Sequence, residues 1–457
     1  MTPWQAYLDT HQTRFQQELL AFIAIPSVSA QPEHAGDVRA AGQWVIDRLQ
    51  KAGMENARMM ETGGHPVVYA DWMHAPGKPT ILIYGHFDVQ PAEPFDLWTT
   101  PPFQPEIRDG RVYGRGATDD KGGMLIPILA LEAMLKNDAL GVNVKCLFEG
   151  QEEIGSPQLP EFIAAHRDLL SADMIFSADS MQYSPDEACL FLSAKGLVGF
   201  EVTLEGTNAD KHSGLVGNAL PNPAMALAHL LAGMKDAQTG RVLIEGFYDG
   251  VPELTEAERA EIARVPFDEA AFVASHGAEA AVGEAGYTPM ELMGVRPSLD
   301  INGIWGGYQG EGTKTVHPAR ASAKITCRLV PGQTPADIFA KAEAHIRRHA
   351  PRSTRVSVSR LPGSAEPFGV PHGHNASQIA GGVLHEVYGM EPYGLRAGGS
   401  VPILAMFLTE LGVHATSFGF SLMDENLHAP DEFFRLQSFE RGQVAYCRLF
   451  EELARGA

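Results

Sequence analysis

The sequence predicts an α/β protein: a mostly parallel sheet flanked by helices, with a small α+β domain inserted into it. Three observations carry this expectation. Apolar, β-branched runs alternate with helical-period segments up to about residue 190; near residue 196 the pattern changes to a period of two; and after a stretch rich in Pro and Gly the first pattern resumes. The expected boundaries are 1–196 and 363–457 for the α/β domain and 197–362 for the insertion.

Residues 12–24, "QTRFQQELLAFIA", have apolar positions at helical spacing, and Pro26 ends the pattern. A second amphipathic helix is expected at 37–53, with short strands near 66–72 and 80–85. The run "DKGGMLIPILALEAMLKN", 120–137, is apolar on nearly all sides, as a helix packed on a sheet should be. "VNVKCLFEG" and "ADMIFSADS" read as two further strands. "KGLVGFEVTLEG" then alternates apolar and polar, the pattern of a half-exposed antiparallel strand. The insertion continues with the helix "NPAMALAHLLAGMKD", a helix capped by Thr255 with Glu258 three positions on, and the strands "ASAKITCRLV" and "TRVSVSR". "LPGSAEPFGVPHGHN" is the return crossing, after which the helix "ASQIAGGVLHEVY" and the strand "VHATSFGFS" complete the α/β domain.

The chain has 457 residues, 44% of them apolar, enough to fill real cores. A formal net charge of −21 argues against nucleic acid or an anionic membrane as partner, since both need clustered Lys and Arg. No apolar run approaches the ~18 residues of a membrane span, and "MTPWQAYLDTHQTRFQQELL" lacks the marks of an export signal. Cys146, Cys189, Cys327 and Cys447 are widely separated and form no CxxC pair, which predicts reduced thiols and a cytoplasmic location.

The strand at 80–85 ends in "GHFDVQP". Residues two apart in a strand face the same side, so His86 and Asp88 project together from its C-terminal end, where open α/β sheets place their sites. Other strands end likewise. "TDDKGG" delivers Asp119 and Asp120, "LFEGQEE" delivers Glu152 and Glu153, "SADS" delivers Asp179, and "MDENLHAP" places His428 after a late strand. Singly these would be a helix cap, a solvated acidic pair, a turn residue and a loop histidine. Together they crowd carboxylates and imidazoles at one sheet edge, where anions repel unless cations hold them. This thiol-free donor set suits zinc, with manganese or cobalt as alternatives. Two histidines and three carboxylates, His86, Asp119, Glu153, Asp179 and His428, suit two divalent ions that share a carboxylate. Glu152 is then free to act as general base, and Asp88 to orient an imidazole.

"GHFDVQP", "GRGATDDKGG", "FEGQEEIGS", "SADS" and the late His428 closely resemble the dinuclear metallopeptidase family of carnosinase, cytosolic non-specific dipeptidase, aminoacylase and glutamate carboxypeptidase, and most of all its dipeptidase branch. The resemblance spans nearly the whole chain in order. It implies that Asp119 bridges the two ions, that the Asp119–Asp120 bond is cis, and that the inserted domain is a lid that also pairs two subunits into a homodimer. It further implies that His212 of "DKHSG" reaches the partner's active site to stabilise an oxyanion, that Thr315 of "KTVHP" contacts substrate, and that Arg328 and Ser400 hold a free C-terminal carboxylate. Lys211 and Ile154 depart from the family pattern and bear on substrate preference.

The implied activity is hydrolysis of dipeptides or short peptides with a free C-terminus. N-acyl-amino-acid deacylation and carboxypeptidase action are the alternatives within the family, and a non-catalytic metal-binding protein is the alternative outside it. "GGYQGEGTKT" is set aside as a phosphate loop because Thr313 separates Gly312 from Lys314; it is expected to be a lid loop. His372 and His374 lie in the crossing segment and are expected at a surface or hinge.

Overall fold

In the computed structural model, which describes residues 1–456, the chain divides into two compact units. One comprises Met1–Phe191, Val370–Gly394 and Met406–Ala457; the other comprises Leu192–Gly369 and Leu395–Ala405. The division falls at 191/192 and 369/370 rather than at the expected 196/197 and 362/363. Leu395–Ala405, expected in the α/β domain, belongs instead to the second unit. Its physical tie there is visible: the Lys195 amide donates to the carbonyls of Ala397 and Gly399, both at 3.1 Å.

The first unit is built on a six-stranded sheet in the order Glu55–Met60, Val67–Trp72, Asn143–Glu149, Thr80–His86, Met174–Ser177, Ala415–Ser417. The last four pair parallel, and Val67–Trp72 runs antiparallel to both its neighbours. Asn143–Glu149 lies on one side of Thr80–His86 and Met174–Ser177 on the other, so the chain switches sides at the His86 strand. That reversal is where open α/β sheets form a crevice beyond their carboxyl ends. Glu55–Met60, an edge strand of exposed and half-buried residues, had no clear pattern in the sequence.

Helix Lys121–Leu135 is buried on every side but its last residue, packed against the sheet and against helices Pro3–Ile23, Ala35–Ala52 and Leu436–Arg455. Its first turn needs glycine. A Cβ on Gly122 would overlap the Ala117 carbonyl oxygen, and one on Gly123 would overlap Asp120 Oδ1. "DDKGG" thus lets the helix start against the loop that carries Asp119. The first helix begins at Pro3, earlier than the apolar pattern suggested, because Thr2 and Gln5 form a capping box. The expected strand "VHATSFGFS" is broken into Ala415–Ser417 and Ser421–Leu422 around Gly419, where a Cβ would overlap the carbonyl oxygens of Ala178 and Ser180.

The second unit has a four-stranded antiparallel sheet in the order Ser298–Gly306, Arg320–Leu329, Gly196–Glu205, Arg355–Arg360. Helices Pro223–Ala232 and Pro335–His349 pack on it around Phe200, Leu230, Ile325 and Ile338. The Thr255–Glu258 capping box opens helix Glu256–Ala263 as expected. No helix among the described residues is long and apolar enough to cross a membrane, and the four cysteines are free and buried.

Candidate metal centre

The sheet edge of the first unit gathers the strand-end residues. His86 closes its strand fully buried, with Nε2 at 3.1 Å from Asp119 Oδ1 and 3.9 Å from Asp179 Oδ2. His428, from the far end of the chain, places Nε2 at 2.9 Å from Asp119 Oδ2 and 3.3 Å from Glu153 Oε2. The result is two triads, His86–Asp119–Asp179 and Asp119–Glu153–His428, in each of which the donor atoms lie within 4.8 Å of one another. Asp119 belongs to both, one oxygen to each. The Asp119–Asp120 peptide is cis.

Local bonds hold these side chains. Asp88, fully buried, accepts the Glu152 amide on Oδ1 at 3.1 Å and the Glu153 amide on Oδ2 at 3.0 Å, while its own carbonyl faces His86 Nδ1 at 3.1 Å. Orienting the imidazole is therefore only part of what Asp88 does: it also anchors the Glu152–Ile154 turn. Gln90 donates its amide to Glu153 Oε1 at 3.1 Å and its side-chain Nε2 to Glu153 Oε2 at 2.7 Å. Asp120 Oδ2 accepts the His86 amide at 3.2 Å. Glu432, buried, accepts the amides of Gly116, Thr118 and Asp119. Sequence reasoning did not single out Gln90 or Glu432. Gln90 sits in the same "GHFDVQP" run as His86, and Glu432 lies just past His428, so nearness to a marked residue was the only signal.

The electrostatics describe a site short of positive charge. Burial pushes the Glu152 carboxyl up to about 9, with Asp179, Glu153 and Asp119 adding to the rise and His86 opposing it. Burial likewise raises Glu153, and raises Asp179 to about 6. His428 is raised to about 10 by its bonds to Asp119 and Glu153, and His86 is raised well above its ordinary value by Asp119 and Asp88 although burial opposes this. Among the described residues, the ion pairs of the Asp119, Glu153 and Asp179 carboxylates are with imidazoles, and no Lys or Arg joins them. An N/O donor set that runs from the buried His86 to the exposed His428, with surplus anion and no thiolate, fits divalent cations that solvent can reach. His372 and His374 stand in neither triad; His374 Nδ1 faces Ser377 Oγ at 3.1 Å.

The four other marked residues lie in the second unit and meet in two pairs. His212 and Thr315 adjoin the two-stranded ribbon of Lys211–His212 with Val316–His317, where the Ser213 amide donates to the Thr315 carbonyl at 3.0 Å. His212 is exposed, and its Nδ1 accepts the Gly214 amide at 3.1 Å. Arg328 Nη1 donates to Ser400 Oγ at 3.3 Å. "GGYQGEGTKT" connects strand Ser298–Gly306 to Val316–His317 and is largely exposed.

A largely parallel sheet with paired N/O triads at its carboxyl edge has the build of a metallohydrolase. The chain belongs to Peptidase family M20/M25/M40, whose model matches residues 82–452. It is 30% identical to the Beta-Ala-His dipeptidase of Rattus norvegicus, over 98% of this chain and 94% of that one. It is 29% identical to the Cys-Gly metallodipeptidase dug1 of Schizosaccharomyces pombe, over 98% and 97%. Among solved structures it is similar to the M20 family metallo-carboxypeptidase Sso-CP2 of Sulfolobus solfataricus, with a TM-score of 0.79, 31% identity, and 97% and 99% of the two chains covered. Human carnosine dipeptidase 1 matches with a TM-score of 0.73 and 30% identity over 99% and 98%. The chain is accordingly a hydrolase of the metallopeptidase class.

Proposed function

We propose that the protein cleaves dipeptides or short peptides that carry a free C-terminus, with two divalent ions at the sheet edge. The observation that carries this reading is the pair of triads meeting at Asp119, with Glu152 adjacent to one donor and outside both triads. The dipeptidase names of relatives similar over nearly their whole length support it. His86 and Asp179 would hold one ion, Glu153 and His428 the other, and Asp119, which stands in both triads, would be shared between them. Zinc suits these donors, with manganese or cobalt as alternatives. When bound, such a pair supplies the Lewis acidity that acidifies a water and polarises a carbonyl.

The chain's own groups do the rest. Glu152 takes the proton of the attacking water and returns it to the leaving amine. Asp88 keeps base and donor in register by holding both their amides. Because His212 Nδ1 accepts a backbone N–H, the neutral ring carries its proton on Nε2, a donor suited to an oxyanion. We assign that role to His212 of the partner subunit, with Thr315 contacting substrate. The Arg328–Ser400 pair offers a guanidinium and a hydroxyl to the C-terminal carboxylate.

The homodimer reading draws on strand Ser298–Gly306, at the sheet's edge, which leaves Ile301, Ile304 and Trp305 exposed; apolar edge strands are usually covered. A cytoplasmic location is favoured by the four unpaired thiols.

The test is hydrolysis of Ala-Ala or Leu-Gly and of their N-acetylated counterparts by metal-free protein with zinc or manganese restored. Metal-dependent cleavage of the free dipeptides alone is expected. Cleavage of the acylated compounds alone would make the protein a deacylase. Likeness to the Sulfolobus solfataricus metallo-carboxypeptidase favours carboxypeptidase action as the second reading, and stepwise C-terminal trimming of longer peptides would select it.

A further inference from the structure

The loops that carry Asp119 and His428 are 309 residues apart in sequence, yet both must supply donors to one triad. Ser421 and Glu425 each bond Thr118, on its carbonyl and its hydroxyl, but the backbone amides of Gly116, Thr118 and Asp119 are gathered by one buried carboxylate. Glu432 belongs to the His428 loop and reaches across to the Asp119 loop. Its Oε2 accepts Arg115 Nη1 at 2.6 Å and the Gly116 amide at 3.0 Å, and its Oε1 accepts the Thr118 amide at 3.0 Å and the Asp119 amide at 3.1 Å. Its carbonyl accepts the Gly114 amide at 3.0 Å. Four donors from residues 115–119 thus converge on one side chain, and the last is the amide of the shared donor itself. Charge-assisted bonds of this kind are short and directional, so the position of the Asp119 backbone is set from the His428 loop.

We propose that Glu432 is a positioning residue for the metal pair: it fixes the spacing of Asp119 and His428 and so governs how tightly the Asp119–Glu153–His428 triad holds its ion. The inference rests on the dinuclear reading above. A purely structural alternative, in which Glu432 merely neutralises Arg115, predicts lost stability without a change confined to one ion. Glu425 provides the control. It is buried in the same loop and accepts the Thr118 hydroxyl at 2.6 Å, the Leu422 amide at 2.9 Å and Arg435 Nη1 at 3.0 Å, and it bonds to none of the amides of residues 116–119.

The experiment compares wild type, Glu432→Gln and Glu425→Gln as full-length, metal-free proteins. Each is titrated with cobalt(II) against a chromophoric chelator, and the visible bands report coordination. Wild type should take up two ions. Glu432→Gln should weaken one of them by about 10–100-fold, the usual scale for residues that orient a metal donor, and leave the other nearly unchanged; Glu425→Gln should keep both. Two ions held by Glu432→Gln as tightly as by wild type would overturn the proposal, as would equal losses in the two variants. Fewer than two ions in wild type would overturn the dinuclear reading, and this inference with it. Should Glu432→Gln not fold, Glu432→Asp retains the charge opposite Arg115 but withdraws the carboxylate by one methylene, and the same outcomes decide.

Discussion

Glu152 and Glu153 are chemically identical neighbours, and their surroundings divide their roles. Glu153 has its carboxylate fixed by Gln90 and faced by His428 at 3.3 Å. Glu152 is anchored through its backbone on Asp88 and stands outside both triads, which leaves its carboxylate uncommitted as a metal donor. A group that must accept and then release a proton needs this freedom. Glu152→Gln, nearly identical in shape, should therefore retain fold and metal content and lower kcat by about 10²–10⁴, the range for a lost general base. Metal analysis beside steady-state kinetics on a free dipeptide checks this; turnover within a few-fold of wild type would remove the role. The five donors that meet in the two triads stand at strand ends or in the loops just after strands, positions the sequence marks. Gln90 is not marked in this way, because its value lies in how the loop after His86 curls back on Glu153.

At the scale of elements, three helices are joined by one carboxylate. Glu132, on the buried helix Lys121–Leu135, accepts Tyr7 Oη and Arg14 Nη2, both at 2.6 Å, from the first helix, and pairs with Arg48 of the second. Glu18 extends the cluster with Arg14 and Arg48, each at 2.9 Å. Burial tends to raise both carboxyls, but the guanidinium of Arg48 and the bonds from Arg14 win, so both lie below their ordinary values. A depressed folded pKa contributes stability that is present above the unfolded carboxyl value of about 4.3 and is lost as pH falls through the folded value. The Tm should thus fall on acidification below about pH 4.3. Glu132→Gln should cost about 1–3 kcal/mol at neutral pH by removing the charged acceptor that Arg14 and Arg48 share, Arg48 keeping Glu18, and should flatten that acid dependence. An unchanged acid slope would remove the cluster from the account. The apolar pattern of the helix was plain in the sequence. A lone glutamate within it was not, since its partners lie on other helices.

At the scale of the whole molecule, the proposed sharing of sites between subunits has its own test. Glu152→Ala and His212→Ala chains, each inactive, should recover measurable dipeptidase activity when dissociated together and reassembled, because some mixed dimers would hold one intact site. Light scattering verifies the dimer, and no recovery in verified mixed dimers would place His212 outside the partner's site. By itself the sequence determined the α/β class, the insertion and the strand-end donors, since these follow from periodicity and from polar residues closing buried runs. Tertiary structure decided what depends on proximity across long stretches of chain. It placed one oxygen of Asp119 in each triad, gave Asp88 the amides of Glu152 and Glu153, joined Leu395–Ala405 to the second unit, and bound the Asp119 loop to the His428 loop through Glu432. Local pattern records which face of an element is buried, whereas which loops meet at a sheet edge is set only when the strands pack side by side.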